Sequence, residues 1–269
     1  MISLSKIHLT EEKETLFITL YAKALDYRSK HSVLHDKAAD DILRLVKYDF
    51  SKHSLVGNGI MVIRAGQFDE WIRAFIAKNK NAVVVYLGCG LDTRIKRINP
   101  TSSVRWFDVD YPEVIELRKN FFEENDSYTM IASSVTNTNW LEKIPADLPS
   151  IIVAEGLLEY LEVEEVKTLL DRITTHFRQG EIIFDVMSPF AIQSGKEKLR
   201  ETTGAVHKWA VDDIKEVDKL NAALNRKEAL PVFKSTYIKN LSIGSRVLYR
   251  FMSLIPKFKN MICLLRYEF

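Results

Sequence analysis

The stretch Ala82 to Arg94, AVVVYLGCGLDTR, constrains this chain more than any other. Apolar and aromatic residues from Ala82 to Leu87 read as a buried strand, Gly88-Cys89-Gly90 as a tight turn, and Asp92-Thr93 as the start of a helix. A strand running through a glycine turn into a helix is the opening of a parallel βαβ unit. It sets backbone N–H groups and the positive end of a helix dipole against a ligand. The usual dinucleotide fingerprint has a third glycine three residues after the second, where this chain has Thr93.

The rest of the chain follows the same plan. Residues Glu11 to Lys47 have helical spacing, broken around Lys30 to Ser32, and after a looser segment at Ser51 to Asn58 the spacing resumes over Ile60 to Ala77. Short apolar strands then alternate with helical stretches: Val83 to Leu87, Val104 to Val109, Tyr128 to Ala132, Ile151 to Ala154 and Ile182 to Val186. Helices are expected at Tyr111 to Glu124, opened by Pro112, and at Val163 to Phe177. Pro231 to Ile238 and Met261 to Tyr267 are candidate final strands. No linker divides the 269 residues, so one domain is expected, made of a helical cap (1–80), a core (81–187), a lid-like insertion (188–230) and C-terminal strands with a helix (231–269).

Composition excludes several classes. Thirty-eight bases against 36 acids leave a net charge of +2, which gives no electrostatic case for nucleic acid. No window reaches the ~18 apolar residues of a membrane span. Two cysteines, Cys89 and Cys263, suit a reduced, cytoplasmic compartment. The six histidines show no metal-ligand spacing, so no metal is expected. One segment is locally basic: from Lys239 to Phe269, basic residues interleave with Val247, Leu248, Phe251 and Leu254, a pattern read as core packing with a basic rim rather than as a membrane-surface helix.

Several side chains can carry chemistry beside the turn. Asp108 and Asp110 end the second strand about 20 residues after the glycines, where an acid accepts hydrogen bonds from ribose hydroxyls; Asp110, nearer the carboxyl end, is the better placed. Glu155 closes the fourth strand ahead of Gly156, where an unpaired buried carboxylate would be costly, so it is expected to face the ligand crevice and an amino group there. Arg64 and Arg94 are candidate partners for a ligand carboxylate. His207 and Trp209 in the insertion, and Tyr160, are candidates on the substrate side.

Taken together, LGCGLDTR, the R-A-x-x-F-D of Arg64 to Asp69, WFDVDYPEVIELR and AEGLLEYL resemble, in order and spacing, the leucine carboxyl methyltransferase and tetracenomycin polyketide methyltransferase family. The resemblance runs from about residue 16 to residue 190. It implies a Rossmann-like class I α/β fold with seven strands, the last antiparallel, and S-adenosyl-L-methionine as cofactor. It places cofactor contacts on Arg64, on Gly88, Cys89 and Gly90, on Asp110 and on Glu155, with Lys23, Arg28 and Lys30 where relatives carry basic residues. Tyr86 replaces a common asparagine, and Lys37 a usual proline. With no phosphate to seat, such a cofactor tolerates Thr93.

The function so implied is O-methyl transfer to a carboxylate, or a phenolic hydroxyl, of a small molecule such as a polyketide-like metabolite. A carboxylate acceptor is ionised at pH 7 and requires no strong base; a phenol would draw on one, with His207 the first candidate. A protein C-terminal carboxyl methyltransferase and a non-catalytic S-adenosylmethionine-binding protein are the alternatives. A nicotinamide-dependent oxidoreductase is disfavoured by Thr93 and by the acid-glycine end of the fourth strand.

Overall fold

A computed structural model describes residues 9–50 and 58–269. The looser segment expected at Ser51 to Asn58 lies outside them apart from Asn58. Seven strands form one sheet: β1 (Ala82–Leu87), β2 (Val104–Asp110), β3 (Tyr128–Ala132), β4 (Ser150–Ala154), β5 (Gly180–Met187), β6 (Asn225–Pro231) and β7 (Ile262–Glu268). Their order is β3-β2-β1-β4-β5-β7-β6. The first five strands pair in parallel, and β7 runs antiparallel to both β5 and β6. The order reverses at β1, so the carboxyl ends of β1 and β4 flank the crevice in which open α/β sheets bind ligands.

Strand β1 shows why the sheet sits in the middle. Val84 and Tyr86 pack on one face with Phe68 and Ile72 of helix α3 (Asn58–Lys78), and with Leu20 of α1 (Leu16–Arg28). Val83, Val85 and Leu87 pack on the other with Val166, Leu170 and Ile173 of α6 (Val163–His176). Both faces of a parallel strand are thus apolar, and each side chain so buried contributes roughly 1.5–3 kcal/mol.

The N-terminal helical region resolves into a 3₁₀ turn (Glu11–Thr15), α1 and α2 (Lys37–Leu45). Its break is organised by Asp26, whose carboxylate accepts the N–H groups of Val33 and Leu34, and Asp36 then caps α2 by accepting from Ala39 N at 3.0 Å. Beyond the glycine turn come the short α4 (Arg94–Ile98) and α5 (Pro112–Arg118). The helix expected to run to Glu124 ends at Arg118 because Asn120 Nδ2 takes the carbonyls of Glu116 and Leu117. The lid-like segment supplies α7 (Pro189–Thr203) and a short α8 (Ile214–Val217).

Two C-terminal expectations are corrected. The sixth strand is the charged Asn225–Pro231, which begins inside the segment assigned to the lid; Pro231 ends it, and Val232–Lys234 and Thr236–Asn240 are 3₁₀ turns. An edge strand needs few apolar residues, and charge on an edge discourages further pairing, while Val232 and Phe233 fill a small cluster with Ile63 and Tyr249. The basic segment forms α9 (Ile243–Met252) and α10 (Pro256–Lys259). Its apolar residues are not core: Ile243, Val247, Leu248, Phe251 and Leu254 are each more than half exposed. Among the described residues, no helix is long and apolar enough to cross a membrane.

Candidate active site

The glycine turn forms the floor of a narrow cleft at the carboxyl ends of β1, β2 and β4. Gly88 and Gly90 have φ of +63° and +50°, where an L side chain is strained, and a Cβ on Gly90 would stand 3.0 Å from Leu16 Cβ. Thr93 is fully buried, and its hydroxyl bonds Asp36 and accepts from Arg97 Nη1 at 3.0 Å. The side chain in the third-glycine position therefore ties α4 to the helical cap rather than intruding on the turn.

Asp108 and Asp110, alternatives in the sequence, have separate roles. Asp108 is completely buried, paired with Arg118 at 2.6 Å and bonded by Trp106 Nε1 and Tyr128 OH. Asp110 lines the cleft, its carboxylate accepting from Gly90 N at 2.8 Å and Tyr111 N at 2.7 Å. Burial raises its pKa to about 6, against the opposing pull of those two N–H groups.

The opposite wall is built from ion pairs. Arg64 lines the cleft and spans Glu155 (3.1 Å) and Asp185 (2.7 Å). Arg94 does not line it: this fully buried side chain joins Asp69 (2.7 Å) to Glu155, so its role is an internal salt bridge. Lys23 does line it and pairs with Asp92 at 2.7 Å. Arg28 is engaged by Asp40, and Lys30 is exposed. Burial alone would raise the Glu155 pKa, but Arg94 and Arg64 hold it below the usual carboxylate range. Tyr86, in place of the common asparagine, donates to Asp92 at 2.8 Å and lies under Arg94. Cys89 is buried in the floor.

A second cavity of about 250 Å³ adjoins the first, sharing Thr15, Thr19, Arg64, Gly156 and Tyr160 with it. Its walls are largely apolar, with Ile18, Ile60, Met61, Met187, Leu199 and Ile262, and its polar residues include Glu159 and His207. The rings of Tyr160 and His207 stand 5.0 Å apart, and burial lowers the His207 pKa, so its imidazole is neutral at pH 7. Trp209 is not among the lining residues; it packs against the core beneath the insertion. Its backbone N–H and that of Lys208 donate to the Glu159 carbonyl (3.2 and 2.7 Å), pinning the insertion to the end of β4.

Sequence reasoning missed two acids here. Asp185, within β5, bonds Gly156 N at 2.8 Å as well as Arg64; an acid inside the apolar run IIFDVM was the available signal. Glu159 lay inside AEGLLEYL, where an acid one residue before Tyr160 reads equally well as solvent-exposed.

The reversed last strand, the glycine turn, the acid at the end of β2 and the Arg64 wall define a class I S-adenosylmethionine-dependent methyltransferase. The chemistry of the cleft fits that cofactor: an acid able to accept hydroxyls lies at one end, and arginine, lysine and carboxylates suited to an amino-acid moiety lie at the other. Residues 10–174 match the leucine carboxyl methyltransferase family model, and the chain belongs to that family. It is 35% identical to the tetracenomycin polyketide synthesis O-methyltransferase TcmP of Streptomyces glaucescens over 98% of each chain. It is 31% identical to the S-adenosyl-L-methionine-dependent methyltransferase dpfgK of Gibberella zeae over 84% of each. A crystal structure from Thermobifida fusca YX, described as a candidate methyltransferase, superposes with a TM-score of 0.61 at 13% identity, covering 91% of this chain and 93% of that one, and shares its fold.

Proposed function

We propose that this enzyme is an O-methyltransferase acting on a carboxylate of a small, largely apolar molecule. The observation that carries the reading is the apolar cavity of about 250 Å³ that opens on the cofactor cleft across Arg64, Gly156 and Tyr160. Such a volume suits a fused-ring or similarly compact acceptor. The likeness to a polyketide O-methyltransferase over nearly the whole chain supports the same class of acceptor.

In this reading Asp110 would hold the ribose, the Gly88–Gly90 turn would lie against the nucleoside, Arg64 and Lys23 would attract the cofactor's carboxylate, and Glu155 its amino group. Bound there, the cofactor would supply a methyl group carried on a sulfonium, which an acceptor oxygen would take while the sulfur keeps the bonding electron pair. The protein's part is to hold the two in line and to exclude water, and Tyr160, which lines both cavities, stands where they meet. His207, neutral and beside Tyr160, shapes the acceptor side.

Transfer of tritiated methyl from S-adenosylmethionine to a panel of fused-ring carboxylic acids, their hydroxyl analogues and peptides ending in a free carboxylate tests the proposal. Labelled, base-labile methyl esters of the ring acids are expected. Label on hydroxyls alone, or on peptides alone, would overturn it.

A further inference from the structure

Among the described residues, two buried side-chain atoms have no hydrogen-bond partner: Arg94 Nη1 and Glu159 Oε2. The first still lies 3.6 Å from Asp92 Oδ2, inside an ion-pair network. The second belongs to Glu159, a residue only 5% exposed that is among those lining the apolar cavity next to the cofactor cleft. An orphaned carboxyl oxygen in such a place costs free energy unless something that enters the cavity satisfies it.

The protonation state of Glu159 follows from its surroundings. From β4 and β5 it meets the carboxylates of Glu155 and Asp185, from α3 the guanidinium of Arg64, and around the cavity the neutral Tyr160 and His207. Arg64 is already shared between Glu155 and Asp185. Burial, with Asp185 adding to it, pushes the Glu159 pKa up to about 8 despite Arg64. At neutral pH Glu159 is therefore mainly a carboxylic acid, a hydrogen-bond donor without an acceptor. Apolar sites keep acids neutral in this way so that they can donate.

We propose that Glu159 is the acceptor-binding residue of this enzyme, donating its carboxyl hydrogen to one oxygen of the substrate carboxylate and leaving the other oxygen free for methylation. The inference rests on the carboxylate reading above. It explains how a cavity with a buried acid in its wall admits an anion: a proton shared between two carboxyl groups replaces the repulsion of two charges. It also gives the site a means of selection, because the donor discriminates for an oxygen that accepts.

The test uses 2-naphthoate and its uncharged methyl ester as probes, titrated into the protein saturated with S-adenosylhomocysteine between pH 6 and 9. Naphthoate affinity is expected to hold up to about pH 8 and then to fall by up to about tenfold per unit as Glu159 ionises, since one proton is linked to binding. The ester should show no such fall. Glu159→Gln keeps a neutral donor of the same shape, so it should bind naphthoate at pH 7 within about threefold of wild type and lose the alkaline fall. Its unchanged affinity for S-adenosylhomocysteine would certify the fold.

An alkaline fall that persists in Glu159→Gln would overturn the proposal. So would loss of naphthoate binding in that variant at pH 7 with cofactor binding intact, because the ionised form would then be the one required. Absence of naphthoate binding by the wild-type protein would overturn it too. Methylation of 2-naphthol but not of 2-naphthoate would instead remove the carboxylate reading itself, whereas methylated naphthoate with identical pH profiles in both proteins would remove only the role of Glu159.

Discussion

Two aspartates two residues apart, Asp108 and Asp110, show how far environment decides role. Asp108 and Arg118 are both without solvent exposure, so Arg118→Ala would strand a buried carboxylate. A loss of about 3–5 kcal/mol is expected, read by denaturant unfolding, with Trp106 and Tyr128 left to share the uncompensated charge. Asp110 lines the cleft instead. Its pKa of about 6 means that it protonates within the working range, and a protonated acid accepts fewer hydroxyl hydrogen bonds. Affinity for S-adenosylhomocysteine should therefore weaken below about pH 6, by up to about tenfold per unit. Asp110→Asn should bind weakly at all pH values and lack that slope. A wild-type affinity that stays flat to pH 5 would detach Asp110 from the ribose.

At the scale of elements, the 3₁₀ turn Glu11–Thr15 and α1 wall one side of the cofactor cleft. Its free volume of about 90 Å³ is small beside the roughly 300–1,000 Å³ of ligand pockets, so cofactor entry is expected to need a wall to move. The 3₁₀ turn Glu11–Thr15 is one such wall: Lys13 of this turn bridges to Glu113 on α5 and lies over the Tyr111 ring at 4.6 Å, Glu14 accepts from Tyr48 OH at 2.7 Å, and Leu16 of α1 abuts Gly90. A partly exposed ion pair of this kind is worth at most about 1 kcal/mol. Lys13→Ala should accordingly speed S-adenosylhomocysteine association by no more than about fivefold in stopped-flow, with little change in melting temperature. An unchanged rate would mean that another element gates entry. The sheet elements around the cleft were legible in the sequence because hydrophobic runs and glycine turns are local signals. The charged edge strand β6 was not, because an edge strand is defined by the neighbour it pairs with and carries no apolar period of its own.

For the molecule as a whole, buried acids pull pH stability in two directions. Asp92 and Glu155 are held below their ordinary values of 3.8 and 4.5 by the arginines and lysine around them; their contribution is present above those values and is lost as pH falls through the lower folded pKa. Asp110, Asp185 and Glu159 are raised, chiefly by burial, so the native state holds more protons than the unfolded chain from about pH 4 to 8, and stability falls as pH rises through that window. Melting temperature should therefore peak between pH 4 and 5, decline toward pH 8 and fall again below pH 4. Glu159→Gln should flatten the upper part of that decline; a maximum at pH 7 or above in the wild type would contradict the buried, protonated state of Glu159.

The sequence by itself determined the parallel sheet, the glycine turn, the reversed final strand and the residues expected to hold the cofactor, because each depends on local periodicity, on backbone conformations that glycine permits, or on motifs whose order survives in relatives. Tertiary structure decided the rest. It separated Asp108 from Asp110, took Arg94 out of the cleft and into a salt bridge, placed the apolar face of α9 in solvent, and brought Glu159 to an apolar cavity with an oxygen unpaired. Burial and charge pairing arise from segments far apart in the chain, such as the 121 residues that separate Arg64 from Asp185, and no local pattern encodes them.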